Sequence, residues 1–331
     1  MAPNFKALYI SQSEGEIKRE VRDISISDLP QNEVLIKVHY SSLNYKDALS
    51  ATGNKGVTRK FPHVPGIDAA GIVEQSSKAE IPVGTEVIVT SYDLGMNTWG
   101  GFGEYISVPA SWIIKLPKGL SLKESMSFGT AGFTAGLSIL KIVEAGIHPD
   151  HGPIIVSGAT GGVGSMACGI LKHLGYSVHA VSGKKESALL NDILKVDQVH
   201  GREEFVNQFD AKPLASAEFA AGIDNVGGSI LSGILKSVKY NSLVASCGIV
   251  ASIDLNTTVF PFILRGITLA GIDSAEVNMD RRVRVWQNLA ITWKPKFLAD
   301  LVQEICLDQV PEKLNELLAG KAQGRYVLRH G

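Results

Sequence analysis

Pro153-Ile154-Ile155-Val156-Ser157-Gly158-Ala159-Thr160-Gly161-Gly162-Val163-Gly164 passes from a β-branched run into a glycine cluster, and Ser165 to Leu174 continues as a helix. Strand, glycine turn and helix form the setting of a dinucleotide-binding loop. Glycines let the backbone turn tightly and approach a pyrophosphate, while the free amides and dipole of the helix N-terminus stabilise its charge. The spacing is G-x-x-G-x-x-G through Gly158, Gly161 and Gly164, which departs from the usual G-x-G-x-x-G.

The next strand supports the same reading. Ser177-Val178-His179-Ala180-Val181 lies one βαβ unit downstream and ends in Ser182-Gly183-Lys184-Lys185. A carboxylate near that point would bind a free ribose 2′-hydroxyl. A hydroxyl, a small residue and two cations suit a 2′-phosphate instead, so NADPH is the expected cofactor. Glu186 sits one place beyond both lysines, where it is expected to face solvent.

Outward from this unit, six strands are expected at Ile154 to Ser157, Ser177 to Val181, Gln198 to His200, Phe219 to Ile223, Leu243 to Ser246 and Ile267 to Ile272. With helices between them they fit a doubly wound parallel sheet in the order 3-2-1-4-5-6. Strand six would be an open, apolar edge, and pairing with its symmetry mate predicts a homodimer. Upstream, Phe5 to about Leu122 lacks βα alternation. Strand-like runs there (Lys6 to Ile10, Val34 to Tyr40, Ala70 to Glu74, Glu86 to Thr90, Tyr105 to Val108) are separated by Gly, Pro and Asn turns, which predicts a β-rich, partly open barrel. Helices are expected from Ser121 to Phe128, Gly132 to Ala145, Met279 to Leu289 and Pro311 to Ala319. The tail with Ile305-Cys306-Leu307 and Arg325 to Leu328 is too short to stand alone and is expected to return to the first domain. The resulting division is 1–124 plus 296–331 for the β-rich domain and 125–295 for the Rossmann domain.

Composition narrows the classes. The chain has 331 residues, 45% of them hydrophobic, and a formal net charge of −1, which lends no support to nucleic-acid or membrane-surface binding. No uninterrupted apolar run near 20 residues and no signal pattern is evident, so a cytoplasmic protein is expected. Cys168, Cys247 and Cys306 share no metal-ligand spacing and are expected to be buried, unreactive thiols.

The overall plan resembles the medium-chain dehydrogenase/reductase superfamily, with a GroES-like domain holding an inserted Rossmann domain. The resemblance rests on the glycine loop, on Gly66-Ile67-Asp68-Ala69-Ala70-Gly71-Ile72-Val73 and on Val83-Gly84-Thr85-Glu86-Val87. Zinc-dependent members carry Gly-His-Glu where this chain has Gly66-Ile67-Asp68, and a zinc cysteine where it reads Leu43-Asn44-Tyr45-Lys46-Asp47. The four-cysteine zinc lobe is missing too, so no zinc is expected. The chain is more similar to the zinc-free branch of bacterial acryloyl-CoA reductases and quinone oxidoreductase-like proteins. The shared segments are Ser41 to Ala48, Trp99 to Phe102, Gly129 to Ala135, Pro261 to Arg265, Gly271 to Ser274 and Gln323 to Arg325.

That resemblance implies roles for residues. Tyr45 would contact the nicotinamide and is a candidate proton or hydrogen-bond donor; Asp68 is the second catalytic candidate. Asp47 is expected to cap the helix that follows. Thr160, Gly161, Gly162 and Val163 would hold the pyrophosphate, and Ser182, Gly183, Lys184 and Arg202 the adenosine 2′-phosphate end. Cys247, Gly248, Ile263, Ser274 and Arg325 would line the cofactor cleft. Without a Lewis acid, reduction of an activated carbon-carbon double bond suits the chain better than alcohol oxidation. The implied reaction is acryloyl-CoA to propanoyl-CoA, with a short enoyl-CoA as the small-molecule partner. The alternatives are an NADPH:quinone oxidoreductase and a catalytically idle NADPH-binding sensor or structural protein. For the phosphates of CoA there are two candidate cation sets, Lys55, Arg59 and Lys60 or Arg281, Arg282 and Arg284.

Overall fold

A computed structural model describes residues 4–331, which fall into two compact units: residues 4–130, 275–283 and 302–331, and residues 131–274 and 284–301.

The first unit opens with a hairpin, β1 (Asn4–Ser13) and β2 (Glu16–Ser25), in which Asn4 faces Ser25 and Ser13 faces Glu16. Its sheet comprises β3 (Val34–Ser42), β4 (Asp68–Ser76), β5 (Glu86–Thr90), β6 (Tyr105–Val108), β7 (Ile114–Lys115), β14 (Val302–Ile305) and β15 (Arg325–Arg329). The order is β14-β15-β3-β4-β5-β7, with β6 also on β3. Period-2 alternation builds the core. Val34, Ile36 and Val38 of β3 point inward with Val87 and Val89 of β5 and Ile106 and Val108 of β6. A second cluster gathers Phe5, Leu8, Ile10 and Leu43 with Leu314 and Leu328. Each such buried side chain contributes roughly 1.5–3 kcal/mol. The tail therefore does return to this unit: β15 pairs antiparallel with β3, and α8 (Val310–Leu318) buries Val310 and Leu314.

The second unit is the expected doubly wound sheet. Strands β8 (Ile154–Ser157), β9 (Val178–Ser182), β10 (Gln198–Gly201), β11 (Ala221–Asp224), β12 (Leu243–Ser246) and β13 (Thr268–Gly271) pair in the order β10-β9-β8-β11-β12-β13, all parallel. Helices α3 (Gly162–His173), α4 (Arg202–Phe209), α5 (Gly228–Ser237) and α6 (Phe260–Arg265) connect them, and α7 (Met279–Ala290) follows. Strand order reverses between β8 and β11, and ligands bind such sheets beyond the carboxyl ends of the strands at that point.

Three readings change. The strand β2 was not expected, because its burial is mostly partial and its sequence Glu-Ile-Lys-Arg-Glu-Val-Arg-Asp lacks an apolar face strong enough to mark it. The two helices expected around residue 130 join as α2 (Leu122–Glu144), broken by the non-helical Gly129. By length and composition this helix could span a membrane, but it is no uninterrupted apolar run, carrying Lys123, Glu124, Lys141 and Glu144, and 83% of its apolar window is buried inside the protein. Finally, Cys168 is buried, but Cys247 is only partly so and Cys306 is exposed, because it sits in the turn after β14.

Candidate active site

In the first unit the candidates converge on Asp68, the first residue of β4, which has no solvent exposure. Five donated hydrogen bonds reach its carboxylate. Ser42 Oγ and Asn44 Nδ2 donate to Oδ2 at 2.5 and 2.8 Å. The Thr130 amide lies 3.0 Å from Oδ1 and 2.9 Å from Oδ2, and Thr130 Oγ1 donates to Oδ1 at 2.5 Å. Arg325 stands 3.8 Å away and acts through Ser42, donating from Nη2 to Ser42 Oγ at 2.8 Å. Its Nη1 donates to Leu43 O at 3.0 Å and to Asn44 Oδ1 at 3.1 Å. Burial draws the Arg325 guanidinium below its ordinary range, and Asp68, then Asp47, oppose that.

Asp47 adjoins this cluster and is likewise fully buried. Its Oδ2 accepts from the Asn44 amide at 2.8 Å, while Oδ1 accepts from the amides of Gly66 and Ile67 at 3.1 and 2.8 Å. Asn44 and Asp47 thus close the N-terminus of α1 (Tyr45–Ala51) and tie it to the segment before β4. Burial, with the Asp68 charge second, pushes the Asp47 carboxyl up to about 7 against the pull of those amides.

Gly129 makes the cluster possible. With φ 52° and ψ −158° it breaks α2 and turns the Thr130 amide toward Asp68. A Cβ there would lie 2.2 Å from Ser42 Oγ, 2.6 Å from Asp68 Oδ2 and 2.8 Å from Arg325 Nη2, so only glycine admits this approach. Tyr45 opens α1 immediately after Asn44 and is 45% exposed, the one member of this group with a side chain presented outward.

In the second unit the glycine loop has the expected form. Gly158 is left-handed at φ 59°, and a Cβ on Gly164 would lie 2.3 Å from Gly158 O, so the loop closes only with glycine at 164. Gly161 is the N-cap of α3 and supplies no side-chain bond, leaving first-turn amides at Gly162 and Val163 for an anion. Thr160 is buried beside them.

The parallel register Gly201↔Ser182 brings Arg202, the first residue of α4, beside the end of β9. Its guanidinium packs against Gly183, where a Cβ would meet Cζ at 3.1 Å. Ser182 is buried and its hydroxyl accepts from the Lys184 amide at 3.0 Å. Burial, and next the charge of Arg202, lowers the Lys184 ammonium. Two cations held beside each other next to a hydroxyl make a setting that an added phosphate would relieve. Lys185 belongs elsewhere, 2.8 Å from Glu204, and Glu186 is exposed.

A further cluster at the strand-order reversal was missed from the sequence. Asp224, at the end of β11, has no exposure; Ser157 Oγ donates to it at 2.7 Å and the Gly227 amide at 2.9 Å. Asn225 Nδ2 donates to Ser157 O at 2.6 Å, and Cys247 Sγ lies 3.1 Å from Asn225 Oδ1. Burial, reinforced by Asp224, pushes the Cys247 thiol up to about 12, which disfavours its thiolate. Gly248 packs on the Asn225 backbone, where a Cβ would fall 1.9 Å from Asn225 O. Ile263, on α6, is 68% exposed, and Ser274 follows β13 at partial burial. The signal overlooked was the Asp-Asn pair immediately after a buried strand, at the reversal of strand order.

Comparison with known proteins agrees with this architecture. Residues 30–118 match the alcohol dehydrogenase GroES-like domain family. The acrylyl-CoA reductase AcuI of Ruegeria pomeroyi is 40% identical over 98% of this chain and 98% of its own length. A Bacillus subtilis protein named "Putative quinone oxidoreductase YhfP" is 40% identical over 99% and 100%. Its crystal structure, with NAD bound, gives a TM-score of 0.95 over 99% of this chain and 100% of that one. The YhdH oxidoreductase of Salmonella enterica, in complex with NADP, is 39% identical with a TM-score of 0.95 over 98% and 100%.

Proposed function

We propose that this chain, which belongs to the medium-chain dehydrogenase/reductase superfamily in the branch of AcuI and YhfP and is an NAD(P)-dependent oxidoreductase, reduces an activated carbon-carbon double bond with NADPH, acryloyl-CoA to propanoyl-CoA. The observation that carries this is the near-full-length similarity to an acrylyl-CoA reductase, joined to the paired cations Lys184 and Arg202 beside Ser182. NADPH, when bound, supplies a hydride for the β-carbon of the thioester.

The residues divide the remaining work. Thr160, Gly161, Gly162 and Val163 hold the pyrophosphate on the N-terminus of α3; Ser182, Gly183, Lys184 and Arg202 hold the 2′-phosphate. Tyr45 is the outward-facing donor of the first unit, in the role of nicotinamide contact and candidate proton donor at the α-carbon. Asp68 and Arg325 act as positioning residues: both are buried, and their bonds run to Ser42, Leu43, Asn44 and Thr130, the groups that set the start of α1 and so Tyr45. No zinc is required by these roles, and elemental analysis showing stoichiometric zinc with activity lost on chelation would contradict them. A homodimer through the open edge of β13, in the cytoplasm, completes the proposal.

The similarity to YhfP supports a second reading, quinone reduction. Initial rates of NADPH oxidation with acryloyl-CoA, with a simple quinone and with neither separate the two. Turnover restricted to the thioester supports the first reading; turnover restricted to the quinone replaces it; no turnover with either leaves an idle NADPH-binding protein.

A further inference from the structure

Two sets of cations were candidates for the phosphates of an acyl-CoA, and the structure separates them. Arg282 has no exposure. Its Nη1 donates to Thr90 O at 3.1 Å, its Nη2 to Ala275 O at 2.9 Å, and its guanidinium lies 4.3 Å from the centre of the Tyr92 ring. Arg284 pairs with Glu144 at 2.8 Å. Arg282 is thus committed to the fold, Arg284 is held in a surface ion pair, and Arg281 lies at the start of α7 with its amide on Asn278 Oδ1 at 2.9 Å.

Lys55, Arg59 and Lys60 are different. All three are exposed and paired with no carboxylate among the described residues; Arg59 Nε donates to the Lys55 carbonyl of the same loop at 3.3 Å, which leaves its Nη groups outward. Nor are they carried on a slack loop. Thr58, between them, has no exposure, and its hydroxyl lies 2.7 Å from Ser50 Oγ of α1. Ser50 in turn lies 2.9 Å from His63 Nε2. The Asn54 carbonyl accepts from the amides of Val57 and Thr58, both at 2.9 Å, closing the turn. The Arg59 amide donates to Asn97 Oδ1 at 3.0 Å. The nearby Asp93 is occupied by Asn97 Nδ2 and Thr98 Oγ1, each at 3.0 Å. Three like charges within six residues, on backbone held by a buried peg, repel one another with no carboxylate to offset them. A multiply charged anion at this place would remove that repulsion without ordering the loop first.

We propose that Lys55, Arg59 and Lys60 form the subsite for the nucleotide phosphates of an acyl-CoA substrate. The proposal rests on the thioester reading above. The loop follows Tyr45 by one short helix, about 10 Å of rise, which is within the reach of the flexible arm between a CoA thioester carbon and its phosphates. Arginine and lysine then have distinct parts: Arg59 offers a planar fork to one phosphate, and the two lysines act as point charges.

The test compares wild type with the Lys55→Ala/Arg59→Ala/Lys60→Ala variant, using acryloyl-CoA and the acryloyl thioester of N-acetylcysteamine, which carries no phosphate. Loss of the contacts should raise KM for acryloyl-CoA roughly 30-fold, while kcat stays within about twofold. The phosphate-free thioester should be reduced equally by both proteins, and NADPH affinity should not move. The wild-type KM for acryloyl-CoA should also rise with ionic strength, and the variant should lose that dependence. Equal losses with both thioesters, or no loss with either, would overturn the assignment. Calorimetric titration of CoA into the NADP-loaded proteins separates failure of the subsite from failure of the reductase reading. If wild type reduces neither thioester yet binds CoA, and the variant binds it roughly 30-fold more weakly, the subsite stands and the reaction falls. If CoA binds both proteins alike, or neither, the subsite falls. Inorganic pyrophosphate competing as well as CoA would mean an anion site without nucleotide recognition, and would likewise overturn it.

Discussion

Replacing Gly129 by alanine should destabilise the first unit and disturb the Asp68 cluster together. The added Cβ would have to fit 2.2 Å from Ser42 Oγ, 2.6 Å from Asp68 Oδ2 and 2.8 Å from Arg325 Nη2. None of these atoms is the loose end of an exposed side chain, since Ser42 and Asp68 have no exposure and Arg325 only 3%. The backbone itself, at φ 52° and ψ −158°, is a conformation that costs an L-residue about 1–3 kcal/mol. Moving Ser42 or Thr130 off the Asp68 carboxylate costs about 1.5–3 kcal/mol more for each buried bond to a charge. One such bond brings the sum to between about 2.5 and 6 kcal/mol, a large part of the 5–15 kcal/mol typical of a folded protein. With a urea slope of about 1–3 kcal/mol per molar, the unfolding midpoint should fall by at least about 0.8 M. Tryptophan fluorescence reads it, Trp99 and Trp112 lying in the first unit and Trp286 and Trp293 in the second. Gly84→Ala is the control: Gly84 also has positive φ, 84°, but a Cβ there meets nothing within 4 Å, so only the backbone cost remains. Because the network sets the start of α1, kcat should fall with the midpoint. A Gly129→Ala protein with the midpoint and kcat of wild type would refute the packing argument.

The other expectations are more direct. Lys184→Ala should weaken NADPH about tenfold while leaving NADH within about twofold, measured by fluorescence titration; weakening of both alike would mean Lys184 does not meet the 2′-phosphate. His63 is buried, and desolvation pushes its imidazole down to about 4 from an ordinary 6.5. The unfolded chain therefore takes up a proton that the folded chain refuses between those values, so stability present above pH 6.5 is lost as pH falls toward 4, by up to roughly 3 kcal/mol. His63→Gln should flatten that acid limb in urea titrations across pH; an unchanged limb would exclude His63 as its source. Sedimentation at micromolar concentration should show a dimer, and Phe260→Asp/Leu264→Asp on exposed α6, next to the open edge of β13, should shift it to monomer; a wild-type monomer would refute the edge argument.

Local pattern made the second unit legible before any coordinates. Strand-turn-helix around Gly158 and Gly164 reports a backbone that only glycine can follow, and parallel strands buried on both faces write themselves as short β-branched runs. Ser182-Gly183-Lys184 could be proposed from sequence for the same reason, since its chemistry lies within three consecutive residues. Arg202 came from the family resemblance, and only the parallel register, which sets Gly201 against Ser182, puts it beside the end of β9.

The contacts that define the first unit are not local. Arg325 reaches Leu43 across 282 residues, Thr130 reaches Asp68 across 62, and Ile67 reaches Asp47 across 20. Sequence marked Asp68 as a carboxylate where zinc-dependent relatives hold a metal-side residue; only packing showed it enclosed by donors. Likewise, sequence could name six cations for a polyanion but not rank them. An arginine's charge is the same everywhere, and what decides its availability is whether the fold has already given it a carbonyl, a ring or a carboxylate. Arg282 is enclosed by carbonyls and a ring and Arg284 pairs with Glu144, whereas Lys55, Arg59 and Lys60 are exposed on a pinned loop without a carboxylate, Arg59 Nε reaching the Lys55 carbonyl of that same loop at 3.3 Å. The chain alone determined the order of the nucleotide-binding sheet, because that information is periodic and near in sequence. Tertiary structure alone decided which charges hold the protein together and which remain to meet a ligand, because desolvation and pairing exist only once distant segments are brought together.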